Sequence, residues 1–240
     1  MMAGTLLLLR EAGAELHVWN LSHGDCGSVI HPRNELIKLR RQEAQAAADL
    51  AGATLHPPLF DDFCIFYDEP SLLRVAAVVR AIRPTLILTH SPEDYMEDHQ
   101  HTARLVATAA FSRAAPNFAT EPPQPPYALP VAIYHAMPHG LRDVVRRPVT
   151  PDLFVNITPV LARKRALLAC HRSQQAWLDA TQDMPAYLES MAAMSRTVGI
   201  LSGRFEHAEG WRRHSHLGFA AANYDPLSAL LTDHATTPPL

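Results

Sequence analysis

Residues 83–105 read RPTLILTHSPEDYMEDHQHTARL, and the division of this stretch into elements decides the fold. Thr85 to His90 is a short apolar run bounded by Pro84 and a polar loop, and both of its faces are apolar, as in a parallel strand buried between helices. The alanine-rich segment after it reads as a helix beginning near Asp98. In open α/β sheets, ligands gather just beyond the carboxyl ends of the strands. His90 closes such a strand, so the loop carrying Glu93, Asp94, Glu97 and Asp98 stands where a site is expected.

The pattern repeats outward from this point. Ser71 to Ile82 is an amphipathic helix stopped by Pro84, and Asn34 to Ala51 is a helix ending at Gly52. Thr54 to Pro57 is a short extended piece, and Glu15 to Leu21 alternates apolar and polar side chains as a strand. Ala3 to about Ala12 reads as a helix closed by Gly13. The order helix, strand, helix, strand, helix, strand, helix, at these loop lengths, predicts an α/β, Rossmann-like fold with a mainly parallel sheet flanked by helices. A βαβ series starts on a strand, whereas this chain starts on a helix, so the first strand is expected to be missing.

Downstream, residues 114–130 are rich in proline and predict a linker or flap of extended backbone. Two strands are expected at Val131 to Ala136 and Leu153 to Ile157, and two helices at Val160 to about Leu178 and Pro185 to about Ile200. The chain beyond Gly210 has no clear assignment. With 240 residues and no internal repeat, a single domain over 1–240 is expected.

Hydrophobic residues make up 48% of the chain and charged residues 19%, enough apolar material for a core. A net charge of -3 gives no basic field for nucleic acid. The apolar run Thr5 to Leu9 is too short to span a membrane. Three widely spaced cysteines, Cys26, Cys64 and Cys170, form no CxxC pair and fit reduced thiols in the cytoplasm. A second copy of the chain is a candidate partner.

Fourteen histidines are compatible with metal chemistry. A catalytic zinc takes three histidine or carboxylate ligands and leaves a fourth position to water, whose pKa it lowers to about 7. His99 and His101 lie about 200° apart on the helix, so only one of them faces a given cleft. His99, beside Asp98 at the helix start, is the candidate ligand. His23 in LSHGDCGS and His139 in YHAMPHG also follow strands.

The runs MMAGTLLLLREAGAELHVWNLSHGDCGS, RRQEAQAAADLAGA, RPTLILTHSPEDYMEDHQHTARL, LLACHRSQ and FEHAEGW, in that order, resemble the LmbE-like (PIG-L) family of zinc-dependent de-N-acetylases from Met1 to about Trp211. The resemblance implies a zinc hydrolase that removes acetyl groups from a small-molecule N-acetylated sugar or sugar conjugate. MEDH sets His99 on the family's last zinc histidine and Asp98 on the acidic position before it. Met96 falls where many relatives have a histidine that helps the tetrahedral intermediate. Arg40 and Glu43 match an R-x-x-E pattern, with Arg40 and the glycine-loop Asp25 as substrate-side candidates. Asp98 and His139 are the catalytic candidates, His139 standing in for a late-strand general acid.

The family's A-H-P-D-D signature, which supplies two zinc ligands and the general base, is expected upstream of Met1. Two explanations follow: a start placed too late, or a chain that lacks the catalytic centre. In the second case the alternative function is a non-catalytic α/β sugar-binding or regulatory protein. A nucleotide-binding Rossmann enzyme has less support, since no GxGxxG follows an expected strand.

Overall fold

A computed structural model of the chain describes residues 1–181 and 187–238. It divides into two compact units, each built from non-contiguous stretches. The first takes in Met1–Cys64, Phe154–Glu209 and the chain from Asp233; the second takes in Ile65–Leu153 and Gly210–Thr232.

In the first unit, helix α1 (Ala3–Glu11) leads to strand β1 (His17–Trp19), helix α2 (Arg33–Ala51) and strand β2 (Thr54–His56). β1 and β2 pair in parallel, His17 opposite Thr54 and Trp19 opposite His56. The connection through α2 is the expected βαβ crossover. Of strand β5 (Leu153–Asn156), Phe154 and Val155 pair antiparallel with strand β7 (Ala235–Thr236). Helices α5 (Leu161–Ala169), α6 (Arg172–Thr181) and α7 (Tyr187–Leu201) pack with α1 and α2 around Leu7, Leu36, Ile157 and Val198.

The helix expected from Val160 to Leu178 is thus two helices, broken at Cys170 and His171. The break has a physical cause: Glu43 on α2 accepts the Ser173 N–H at 2.8 Å and the Ser173 hydroxyl at 2.6 Å. One of the unpaired amides at the start of α6 is satisfied by this distant carboxylate. Of the helix expected from Pro185, α7 supplies the part from Tyr187; Pro185 lies outside the described residues.

A buried ion pair anchors α1. Glu209, wholly buried, accepts the backbone N–H groups of Gly4 at 2.9 Å and Thr5 at 2.7 Å. Its Oε1 also lies 2.9 Å from Nζ of Lys164, which donates in turn to Ser195 Oγ at 3.0 Å. A carboxylate against helix-start amides favours the positive end of the helix dipole.

In the second unit, helix α3 (Glu69–Ile82) packs on helix α4 (Glu97–Phe111). Asp68 caps α3 by accepting the Ser71 N–H at 2.9 Å. Strand β3 (Leu86–Thr89) pairs in parallel with strand β4 (Ala132–Ala136), Thr89 opposite His135. β4 pairs antiparallel with strand β6 (Ala208–Arg213), His135 opposite Arg212. A short helix α8 (Pro226–Leu230) follows in the stretch the sequence left unassigned. The α/β class stands, with parallel early pairs and antiparallel late ones. Leu86, Ile87 and Leu88 are only half-buried, because β3 ends the order of its sheet and pairs on one side.

The proline-rich segment has no helix or strand between Ala115 and Pro130, yet it is held down. Buried Arg80 donates to the carbonyls of Ser112, Ala115 and Gln124, and buried Arg113 to those of Leu129 and Phe219. Among the described residues, no helix is long and apolar enough to cross a membrane.

Candidate metal centre and a polar cleft

β3 and α4 are joined by the loop His90 to Met96, which brings three donors together. The ligand atoms of His90, Asp94 and His99 all lie within 4.8 Å of one another. His99, in the first turn of α4, sets Nδ1 2.9 Å from Asp94 Oδ1. The His90 and His99 rings stack at 4.2 Å, inclined by 1°. Buried Asp94 also accepts the Met96 N–H at 3.2 Å, and its carbonyl accepts from Gln100 Nε2 at 2.6 Å.

The electrostatics suit a cation. Burial pulls the His90 imidazole down to about 3, and the nearby His99 adds to this, so His90 is neutral with a lone pair to offer. Burial pushes the Asp94 carboxyl up, but the hydrogen bond and charge of His99 and the Met96 N–H outweigh it, holding Asp94 below the usual carboxylate range. Two imidazoles and one ionised carboxylate form a donor set that zinc accepts with water as fourth ligand. The residues present therefore fit the metal.

β4 and β6 hold the loop from below. Buried His135 donates from Nδ1 to the His90 carbonyl at 2.8 Å, and its Nε2 lies 2.9 Å from His214 Nδ1. Burial draws His135 down to about 4, so it is neutral at pH 7. A carbonyl accepts only, so the His135 proton sits on Nδ1 and Nε2 accepts from His214. Arg212 donates to Ser91 Oγ and Glu93 Oε2, each at 2.8 Å.

The structure gives each expected residue a place. His99 lies in the donor cluster. Asp98 is buried beside it in sequence on α4. His139 lies in a turn after β4, its ring 5.9 Å from that of Tyr95, which meets His99 edge-on at 5.7 Å. His101 faces away, within hydrogen-bond reach of the Ile65 carbonyl at 2.6 Å, as the helical spacing requires. Sequence reading missed Asp94 as a donor, and His135, His214 and Arg212 as supports. The available signals were an H-x3-D-x4-H spacing and a histidine interrupting the apolar strand AIYHA.

In the first unit, Asp25 and Arg40 belong to a different arrangement. Asp25 accepts the Asp62 N–H and Arg33 Nε, each at 2.7 Å. Burial raises its carboxyl, but these bonds prevail and keep it below the usual range. Arg40 donates to the Gly27 carbonyl at 2.7 Å, while its Nε is buried without a hydrogen-bond partner among the described residues. Arg40 lines a cleft of about 370 Å³ together with Asn20, His23, Arg41, His56 and His171.

A family model described as GlcNAc-PI de-N-acetylase (PIG-L) matches residues 1–110. A 4-oxalmesaconate hydratase of Pseudomonas putida is 30% identical over 223 residues, covering 86% of this chain and 81% of that protein. The chain belongs to the PIG-L family. Among solved PIG-L-like structures, the 4-carboxy-2-hydroxymuconate hydratase of Pseudomonas putida superposes with a TM-score of 0.68 at 27% identity, covering 89% of each chain. The N,N'-diacetylchitobiose deacetylase of Pyrococcus horikoshii gives 0.73 at 20% identity, covering 94% of this chain and 82% of that one, a likeness of fold. The matching family model is thus named for a de-N-acetylase and the 30%-identical relative for a hydratase.

Proposed function

We propose that this PIG-L protein is a zinc-dependent hydratase that adds water across a carbon–carbon double bond of a small unsaturated polycarboxylate. The observation that carries the reading is the 30% identity to a hydratase across 81% of that protein's length. His90, Asp94 and His99 are the residues that would hold the metal. Zinc, when bound, supplies an acidified water. Met96 supports hydration over deacetylation, because a thioether cannot donate a hydrogen bond to the oxyanion that amide hydrolysis develops.

His139 and Asp98 are the proposed proton-handling groups; Arg40, in the cleft of the first unit, is proposed separately as a contact for a carboxylate. Asp25 has its oxygens engaged by Arg33 and the Asp62 N–H, so its proposed contribution is to the shape of the glycine loop. Three free cysteines, two of them exposed, support the cytoplasm as the compartment.

The second reading, deacetylation of an N-acetylated sugar, is favoured by the family model over residues 1–110, which include the donor loop. One experiment separates the two. The zinc-loaded chain is incubated with 4-oxalmesaconate, followed by loss of conjugated absorbance, and in parallel with N,N'-diacetylchitobiose, followed by acetate release. Hydration without acetate supports the proposal; acetate alone transfers the assignment to the deacetylase. Zinc binding with neither reaction overturns both and leaves a binding protein.

A further inference from the structure

We propose that His135 is a positioning residue for the donor loop: by holding the His90 carbonyl it sets the arrangement in which His90, Asp94 and His99 take a metal. This inference rests on the zinc reading above. The β3–β4 ladder ends at the pair Thr89 and His135, and the next carbonyl along the chain belongs to His90. The His135 side chain takes that carbonyl at 2.8 Å, extending the ladder by one bond beyond the last strand residue.

The bond is made by a buried group whose other ring nitrogen is itself fixed. His214 holds Nε2 at 2.9 Å, so the ring can neither flip nor present the wrong tautomer without losing a partner. Next to it, Arg212 on β6 grips Ser91 and Glu93. The loop backbone is thereby fixed at its strand end and its side chains at two further points, while the His90 ring, Asp94 and His99 remain directed at one another. A shift of the His90 carbonyl rotates the residue that carries one donor and heads the turn carrying the second. Groups that orient ligands without touching the metal typically change metal affinity about 10–100-fold when removed.

The test is zinc affinity of the purified chain, measured by competition with a chromophoric chelator. His135→Phe keeps the ring volume and removes the donor; we expect it to weaken zinc about 10–100-fold. His135→Asn places an amide N–H near the position of Nδ1 and should restore most of the affinity, whereas His135→Gln, which mimics Nε2, should not. The Asn and Gln variants keep the test decisive where Phe fails to fold, and thermal unfolding of the metal-free proteins reports folding separately. A structural role alone would lower the stability of all three variants and leave zinc affinity equal in those that fold, which overturns the inference. Wild-type protein that binds no zinc sinks the metal reading and this inference with it; tight zinc binding that is indifferent to His135 sinks the inference alone.

Discussion

Replacing Lys164 by Met tests the reading of the buried ion pair beneath α1. In the folded chain Glu209 is wholly buried, and its carboxylate faces Lys164 Nζ at 2.9 Å and the N–H groups of Gly4 and Thr5. Methionine fills the same space without the charge, so the backbone bonds remain while the salt bridge is lost. Breaking a buried pair by removing one partner costs about 3–5 kcal/mol. For a chain of this size each kcal/mol shifts Tm by about 2–4 °C, so the expected fall is about 6–20 °C at pH 7.

The pH dependence carries the sign. Burial pushes the Glu209 carboxyl up, but Lys164 and the hydrogen bonds prevail and its folded-state value lies below the usual one. In the wild type this stabilisation is present above the unfolded value, about 4.3, and is lost as pH falls through the depressed folded value. In Lys164→Met the opposition to burial is reduced, the carboxyl rises, and protonation relieves the penalty. The stability gap is therefore widest near neutral pH and narrows on acidification toward about pH 4. Calorimetric scans of both proteins from pH 7 to pH 4 check this. A variant that melts with the wild type at pH 7, or a gap that widens in acid, refutes the argument.

His99→Ala and Asp94→Asn should each reduce bound zinc from about one per chain toward none, read by atomic emission after gel filtration. Arg80→Met removes a charged donor from three carbonyls and should cost at least about 3 kcal/mol in urea unfolding, with residues 115–130 becoming the first site of limited proteolysis. Gly24→Ala meets two obstacles, a φ of +73° and a Cβ 2.7 Å from Arg40 Cδ. It should destabilise the chain by about 1–3 kcal/mol in the same assay and raise KM by displacing Arg40.

The sequence carried the alternation of strands and helices from Glu15 to the helix after His90 because periodicity and chain breakers are local signals. It placed His99 at a helix start, and His99 stands in the first turn of α4. It was silent about Asp94 as a donor, because the direction of that carboxylate depends on a turn closed by the Met96 N–H and by His99. The break between α5 and α6 escaped because no glycine or proline marks it; the determinant is Glu43, 130 positions away. Lys164 and Glu209 look like surface charges in the sequence, and only tertiary packing turns them into interior groups. His135 and His214, 79 residues apart, are likewise brought within hydrogen-bond reach only by the pairing of β4 with β6.

The tie between Gly4, Thr5 and Glu209 also orders events on the ribosome. More than two hundred residues separate its ends, so α1 emerges long before the carboxylate that satisfies its first amides has been synthesised. Contacts at such separation slow folding, since the intervening chain must close before they form. The first amides of the nascent leucine-rich helix must therefore wait for their acceptor until the intervening two hundred or so residues have been made. That interval is when this protein would most need the help of a chaperone.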